Sequence, residues 1–293
     1  MTRQFDLALT ALAPAIWGST YYVTTEYLSG HSAITIAMLR ALPAGLILLL
    51  IVRQLPGIQW LGKIAVLGAL NFSVFWVLLF VAAYRLPGGV AATVGAVQPL
   101  IVIFLARGIL GAPIRTLSVF AAIAGMGGVA LLLLNPSAAL DPIGIAAGLG
   151  GAASMATGVV LTRKWQPPVP LLTFTAWQLT AGGVLLIPLA IWAEPAVPQF
   201  SMQNIMALVY LGGIGGAITY FLWFRGISRL ETPVVSVLGF LSPLTAVTLG
   251  WLLLGQSLTP MQLGGAVIVI FSVRLSQSQI RLVWPFHKTK PVV

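Results

Sequence analysis

GALNFSVFWVLLFVAAYRLPGGVAATVGAVQPLIVIFLARGILG at residues 68–111 and GGIGGAITYFLWFRGISRLETPVVSVLGFLSPLTAVTLGWLLLG at residues 212–255 are two copies of one pattern. Aligned without a gap at an offset of 144, they carry the same residue at twelve of 44 positions. Gly68 meets Gly212, Arg85 meets Arg229, Gly95 meets Gly239, Pro99 meets Pro243 and Gly111 meets Gly255. Upstream the match is weaker and its offset is 138, pairing Thr24 with Thr162, Thr35 with Thr173 and Gly45 with Gly183. A connection six residues longer in the second half accounts for the change. An internal repeat on this scale means that one structural unit is used twice.

The surroundings of the repeat say what kind of unit it is. Of 293 residues, 59% are hydrophobic and 7% charged, whereas soluble domains carry about a quarter charged residues. With a mean hydropathy of +1.02, a water-soluble enzyme is excluded. Fifteen Lys and Arg face five acidic residues, a net charge of +10. These basic residues stand singly or in pairs between apolar runs rather than on one solvated face, so nucleic acid is not an expected partner. No cysteine is present, which removes disulfides and thiolate metal sites. His31 and His287 have no partner at ligand spacing, so neither a metal nor a cofactor is expected.

A helix needs roughly 20 mostly apolar residues to cross a hydrocarbon core. Ten such segments can be marked, at 7–27, 33–52, 64–83, 90–110, 114–134, 143–162, 171–192, 205–224, 234–254 and 258–273. Turn signals separate them, including Leu86-Pro87-Gly88-Gly89 and Asn135-Pro136-Ser137. Arg3 and Ala13-Pro14-Ala15 resemble parts of a signal peptide, but the apolar run continues through Val23 and reads as a retained helix. If the N-terminus is cytoplasmic, thirteen of the fifteen Lys and Arg fall on the inside, which fixes the expected orientation with both termini cytoplasmic.

The expected fold is therefore an all-α integral membrane protein. One five-helix unit spans residues 1–137, a second spans 138–275, and a basic tail at 276–293 lies on lipid headgroups. Because five is odd, the second unit enters the membrane from the opposite face, giving two inverted repeats around a central cavity. Arg85 is expected outside and its mate Arg229 inside. Two such units permit two nearly equivalent packings, one open to each side, and transport follows from that.

Polar and amphipathic side chains within spans face a cavity or another helix. Trp17, Tyr21, Asn71, Trp76, Gln98, Trp177, Gln178, Tyr220, Trp223 and Ser242 are the candidate lining of the cavity. For the aromatic residues among them, packing or an interfacial belt competes with substrate contact. Pro99 and Pro243 interrupt helices at mate positions and are the candidate hinges, with a static kink as the alternative. Arg40 is the one charge well inside a span; it forms an ion pair with Glu26 or meets a substrate carboxylate. No carboxylate lies near the middle of a span, which disfavours direct competition between a proton and a cationic cargo. The glycines of the fifth, sixth and eighth spans read as close helix packing rather than a nucleotide loop.

Trp17-Gly18-Ser19-Thr20, Arg40 followed by Ala44-Gly45, and the Pro99 and Pro243 helices running to Gly111 and Gly255 resemble the EamA type of the drug/metabolite transporter superfamily. The resemblance covers residues 7–275. It implies a ten-helix basket in a bacterial inner membrane, working as a monomer on a small-molecule substrate among membrane lipids. The length and aromatic lining resemble the branch that exports aromatic and other amino acids. Efflux of drugs or other metabolites is the alternative, and a channel is disfavoured by the bulky central rings. Sugar-phosphate carriers of the superfamily use basic residues deep in the later spans, which this chain lacks. An enzyme would need a catalytic pair at depth, and none is visible.

Overall fold

A computed structural model describes residues 2–86, 88–133, 141–193 and 199–278. The boundary expected near residue 137 and most of the basic tail lie outside the described residues. Those described form ten helical rods: α1 (Arg3–Tyr27), α2 (Ala33–Val52), α3 (58–85), α4 (88–110), α5 (Thr116–Leu133), α6 (Pro142–Lys164), α7 (Leu171–Ala193), α8 (Met202–Arg229), α9 (Thr232–Leu254) and α10 (Pro260–Ser276). Eight are long and apolar enough to cross a membrane. The others are α1, which carries the polar run and the charges of Arg3, Asp6 and Glu26, and α10, which has 17 residues. Helices α3 and α8 begin earlier and end later than the apolar pattern, because Gln59, Lys63, Arg225 and Arg229 extend them past the apolar zone.

In hydrocarbon every backbone amide must bond within its own segment, so apolar runs of this length become helices. The ends are closed by specific groups. Asp141 caps α6 by accepting from the N–H of Ile143 at 2.7 Å and Gly144 at 3.1 Å, and Thr259 with Gln262 forms a capping box on α10. Helices α4 and α9 end at the mates Gly111 (φ 68°) and Gly255 (φ 64°), a left-handed conformation that glycine adopts without a Cβ penalty. Leu50, Ile58, Phe120, Trp192 and Val209 are exposed, as a lipid-facing surface requires.

Two irregularities repeat between the halves. Helix α3 contains a π-helical stretch at Ala69–Ser73, and α8 contains one at Tyr210–Ile218, which covers the mate positions. Helix α4 breaks between Gly95 and Gln98, and α9 breaks between Leu238 and Leu241. Pro99 and Pro243 therefore do not interrupt a helix from within. They sit in the first turn of the segment that restarts, where a missing N–H costs no bond. The breaks themselves are spanned by short i to i+3 bonds, from Val97 N–H to Val94 and from Phe240 N–H to Val237.

The packing also repeats. Helix α2 lies against its mate α7, and α5 against its mate α10, while α1 contacts α8 and α9 as α6 contacts α3 and α4. The α2 and α7 axes run antiparallel: Gly45 meets Thr180, whereas Leu42 meets Gly183. Helices α5 and α10 do the same, with Gly125 beside Ser272 and Gly128 beside Gly265. Small residues let these backbones touch, since a methyl on Gly45 would lie 2.5 Å from Thr180 N.

Candidate functional site

Rings from both halves meet at the centre of the bundle. Trp17 of α1 stands 4.9 Å from Tyr220 and 5.2 Å from Trp223, both on α8. Phe72 in the π-helical stretch of α3 lies 4.5 Å from Tyr220 and 5.5 Å from Trp76. These tilted and edge-on geometries are the favourable ones for aromatic pairs. Trp76, Tyr220 and Trp223 are buried, while Trp17 is half-buried.

Polar groups border the rings on two sides. Toward the end of the bundle where α1 finishes, the Tyr27 end, Arg40 donates to the carbonyl of Gly215 at 2.6 Å, and its guanidinium lies 5.3 Å from the Trp76 ring centre. The same carbonyl accepts from Trp17 Nε1 at 3.2 Å and Thr219 Oγ1 at 2.8 Å. A π-helical stretch releases carbonyls from the regular ladder, and here one such oxygen gathers three donors. Ser19 and Tyr210 share a hydrogen bond of 2.7 Å. Glu26 is exposed in the last turn of α1, and the Arg40 guanidinium reaches the Gly215 carbonyl and the Trp76 ring.

Toward the opposite end, near Asp6, Asn71 donates to Gln178 Oε1 at 2.9 Å and to Thr162 Oγ1 at 3.1 Å. This cluster joins α3, α6 and α7, and its three side chains are fully or almost fully buried. Asn71 Oδ1 and Gln178 Nε2 have no partner among the described residues. Gly158 lets Asn71 approach, because any Cβ there would collide with Oδ1. Further out, Asp6 is held by Arg225 at 2.6 Å and Arg229 at 3.6 Å, and Arg163 donates to the carbonyls of Ile227 and Ser228. A cavity of about 410 Å³ opens at this end, lined in part by Leu110, Arg115, Arg163, Glu231 and Thr232. Arg115 and Glu231 form an ion pair of 2.6 Å.

Of the candidate residues, Trp17, Trp76, Tyr220 and Trp223 thus come together, with Arg40 on one side and Asn71 and Gln178 on the other. Trp177 does not join them. It is buried in a separate apolar cluster with Ile64, Leu67 and Phe174, and its Nε1 donates to the carbonyl of Gln54 at 2.6 Å. Gln98 and Ser242 occupy the first turns of the restarted halves of α4 and α9, and the Ser242 carbonyl packs against Gly18 of α1. The side chain of Tyr21 lies outside the described residues. Phe72 and Thr162 are absent from the candidates read off the sequence; the repeat register, which pairs Thr162 with Thr24, is the signal that points to the latter. Asp6 and Arg225 read as loop charges in sequence, yet they are a buried pair, because α1 and α8 extend far enough to bring them together.

Comparison with known proteins fits this geometry. The model of the EamA-like transporter family matches twice, over residues 5–134 and 142–277. The chain is 45% identical to Protein PecM of Dickeya dadantii (strain 3937) over 96% of its length and 94% of the relative. It is 29% identical to the uncharacterized inner membrane transporter YedA of Escherichia coli (strain K12), over 89% of this chain and 86% of that one. A solved crystal structure superposes with a TM-score of 0.80 at 19% identity, covering 94% of this chain and 98% of its own, which shows a shared fold. With helices of this length and apolarity, the protein is a multi-pass membrane transporter and belongs to the EamA-like transporter family of the drug/metabolite transporter superfamily.

Proposed function

We propose that the protein carries amino acids or similar small amphipathic metabolites across the membrane by alternating access between two inverted five-helix halves. The observation that carries this reading is the antiparallel contact of two helices of the first half with their own repeat mates, α2 on α7 and α5 on α10. A repeat related by an axis along the membrane normal would set mates parallel; mates that run opposite ways suit an axis in the membrane plane. Ten spans with both termini cytoplasmic belong to this reading, and the distribution of Lys and Arg supports the orientation. One chain contains both halves, so a monomer suffices.

The ring cluster supplies the amphipathic selectivity. Trp17, Trp76 and Tyr220 offer faces for an apolar or aromatic side chain, and Arg40 beside them offers a fork for a carboxylate. Pro99 and Pro243, just after the breaks of α4 and α9, mark the mate positions about which the halves flex. The test is uptake by proteoliposomes of the purified chain, with a panel of amino acids and with or without a pH gradient. Saturable uptake that falls in Trp17→Ala and Arg40→Ala is expected. No saturable uptake of any panel member refutes the proposal, and normal uptake by Arg40→Lys with Glu26→Gln inactive returns Arg40 to a structural pairing role.

A further inference from the structure

The two halves hold different groups at corresponding depths. By the repeat register Asn71 corresponds to Gly215, Gln178 to Arg40 and Thr162 to Thr24. The contact of Arg40 with Gly215 at the Tyr27 end is thus the mate of the contact of Gln178 with Asn71 at the Asp6 end. The first is cationic and half-exposed; the second is neutral and buried. Two ion pairs, one from each end, differ in the same sense. Arg225 and Asp6, at 2.6 Å, are 9% and 11% exposed, whereas Arg85 and Asp141 at the other end, at 3.3 Å, are 46% and 34% exposed. At the Asp6 end the contact of α1 with α8 and the amide cluster of α3, α6 and α7 are thus drawn together, beside the cavity where Arg115 and Glu231 are 28% and 47% exposed. The contact of Arg85 with Asp141 at the Tyr27 end is looser.

We infer that Asn71, Gln178 and Thr162 form a second substrate station, which takes the polar head of the substrate when the Asp6 end opens, as Arg40 takes it when the Tyr27 end is open. The inference rests on the carrier reading above and adds to it a site and a direction. Opening the Asp6 end must part α3 from α6 and α7, and that separates three buried polar groups that now satisfy one another. Asn71 Oδ1 and Gln178 Nε2 already have no partner among the described residues, one an acceptor and the other a donor. A zwitterionic head group presents the complementary pair, an ammonium donor and a carboxylate acceptor.

The stations cannot bind such a head equally. Arg40 meets a carboxylate with a charge-assisted fork, while the amides offer neutral hydrogen bonds of about half that strength. A substrate therefore half-saturates the carrier at about five- to tenfold lower concentration from the Tyr27 face than from the Asp6 face.

The test uses the full chain in right-side-out and everted membrane vesicles. The probe is whichever of the twenty common amino acids is transported fastest. The wild type is expected to show the five- to tenfold difference. Arg40→Gln should bring the two faces within about twofold by weakening the Tyr27 face alone. Gln178→Leu should weaken only the Asp6 face, and the smaller change Thr162→Val should do so to a lesser degree if Gln178→Leu fails to fold. Because the chain has no cysteine, Thr162→Cys gives a direct probe: a membrane-impermeant thiol reagent should reach it from the Asp6 face only, with protection by the amino acid. Equal half-saturation at both faces, a Gln178→Leu effect shared by both faces, or labelling of Thr162→Cys unaffected by the amino acid overturns the second station while leaving carriage intact. Absence of saturable flux overturns both.

Discussion

Gly45→Ala and Gly183→Ala, at mate positions on the seam between α2 and α7, probe the contact that the inverted reading depends on. A methyl on Gly45 would lie 2.5 Å from Thr180 N and 2.8 Å from its Cα, and one on Gly183 would lie 2.6 Å from Leu42 Cα. All of these neighbours are backbone, so no rotamer change relieves the clash. Ordinary contact begins near 3.4 Å, so the two helices must part by about 0.8 to 0.9 Å at each site. Overpacking of this kind costs about 1–3 kcal/mol. Alanine also favours the helix over glycine by about 0.5–1 kcal/mol, which partly hides the clash. Gly62→Ala and Gly127→Ala remove that ambiguity, because nothing lies within 4 Å of a methyl at either position. The helix gain is common to all four variants, leaving about 1–3 kcal/mol between seam and control. Thermal unfolding of the detergent-solubilised protein reads the difference, with Gly45→Ala and Gly183→Ala melting several degrees below the controls. If the seam variants melt with Gly62→Ala, α2 and α7 are not in backbone contact and the support for inversion fails.

Arg225→Met leaves Asp6 buried with only the more distant Arg229, and should lose about 3–5 kcal/mol, whereas Arg85→Met at the exposed pair with Asp141 should change the unfolding transition little. Chemical denaturation of both variants side by side checks the contrast. The amides of Gly144 and Ile143, helped by Arg85, hold the Asp141 carboxyl below its usual range, with burial opposing them. Its contribution to stability is therefore complete at neutral pH and is lost only as the pH falls below the usual aspartate value and through the lowered one, so Asp141→Asn should flatten that acid limb of the stability profile. Trp177→Phe removes the bond to the Gln54 carbonyl and should cost about 1 kcal/mol of stability while leaving the half-saturation of transport unchanged. A raised half-saturation at unchanged stability would move Trp177 into the substrate path.

Much of the architecture is legible in the repeat. The register of 68–111 on 212–255 places Gly111 with Gly255 and Pro99 with Pro243, and both pairs occupy equivalent caps and restarts in space. The register does not reveal that the breaks precede the prolines, because Ala96, Val97 and Phe240 carry no turn signal and a lone glycine such as Gly95 or Gly239 is tolerated within a helix. The π-helical stretches are hidden for a similar reason: Ala69–Ser73 and Tyr210–Ile218 are apolar enough to read as ordinary helix. For the site, composition marks Trp17, Asn71, Trp76, Tyr220 and Trp223 as unusual residues for a span. It cannot tell that Trp177, just as unusual, packs at one end of α7 against Trp60 and Phe174.

Apolar length, charge placement and the internal repeat are properties of the chain read along one dimension, and they determined a helical membrane protein made of two like units. Which rings share a centre, which arginine reaches which carbonyl, and which mate contacts are buried depend on residues far apart in the chain, such as Arg40 with Gly215 and Asn71 with Gln178. Only the tertiary structure decided those, because a hydrogen bond forms at about 3 Å in space regardless of separation in sequence.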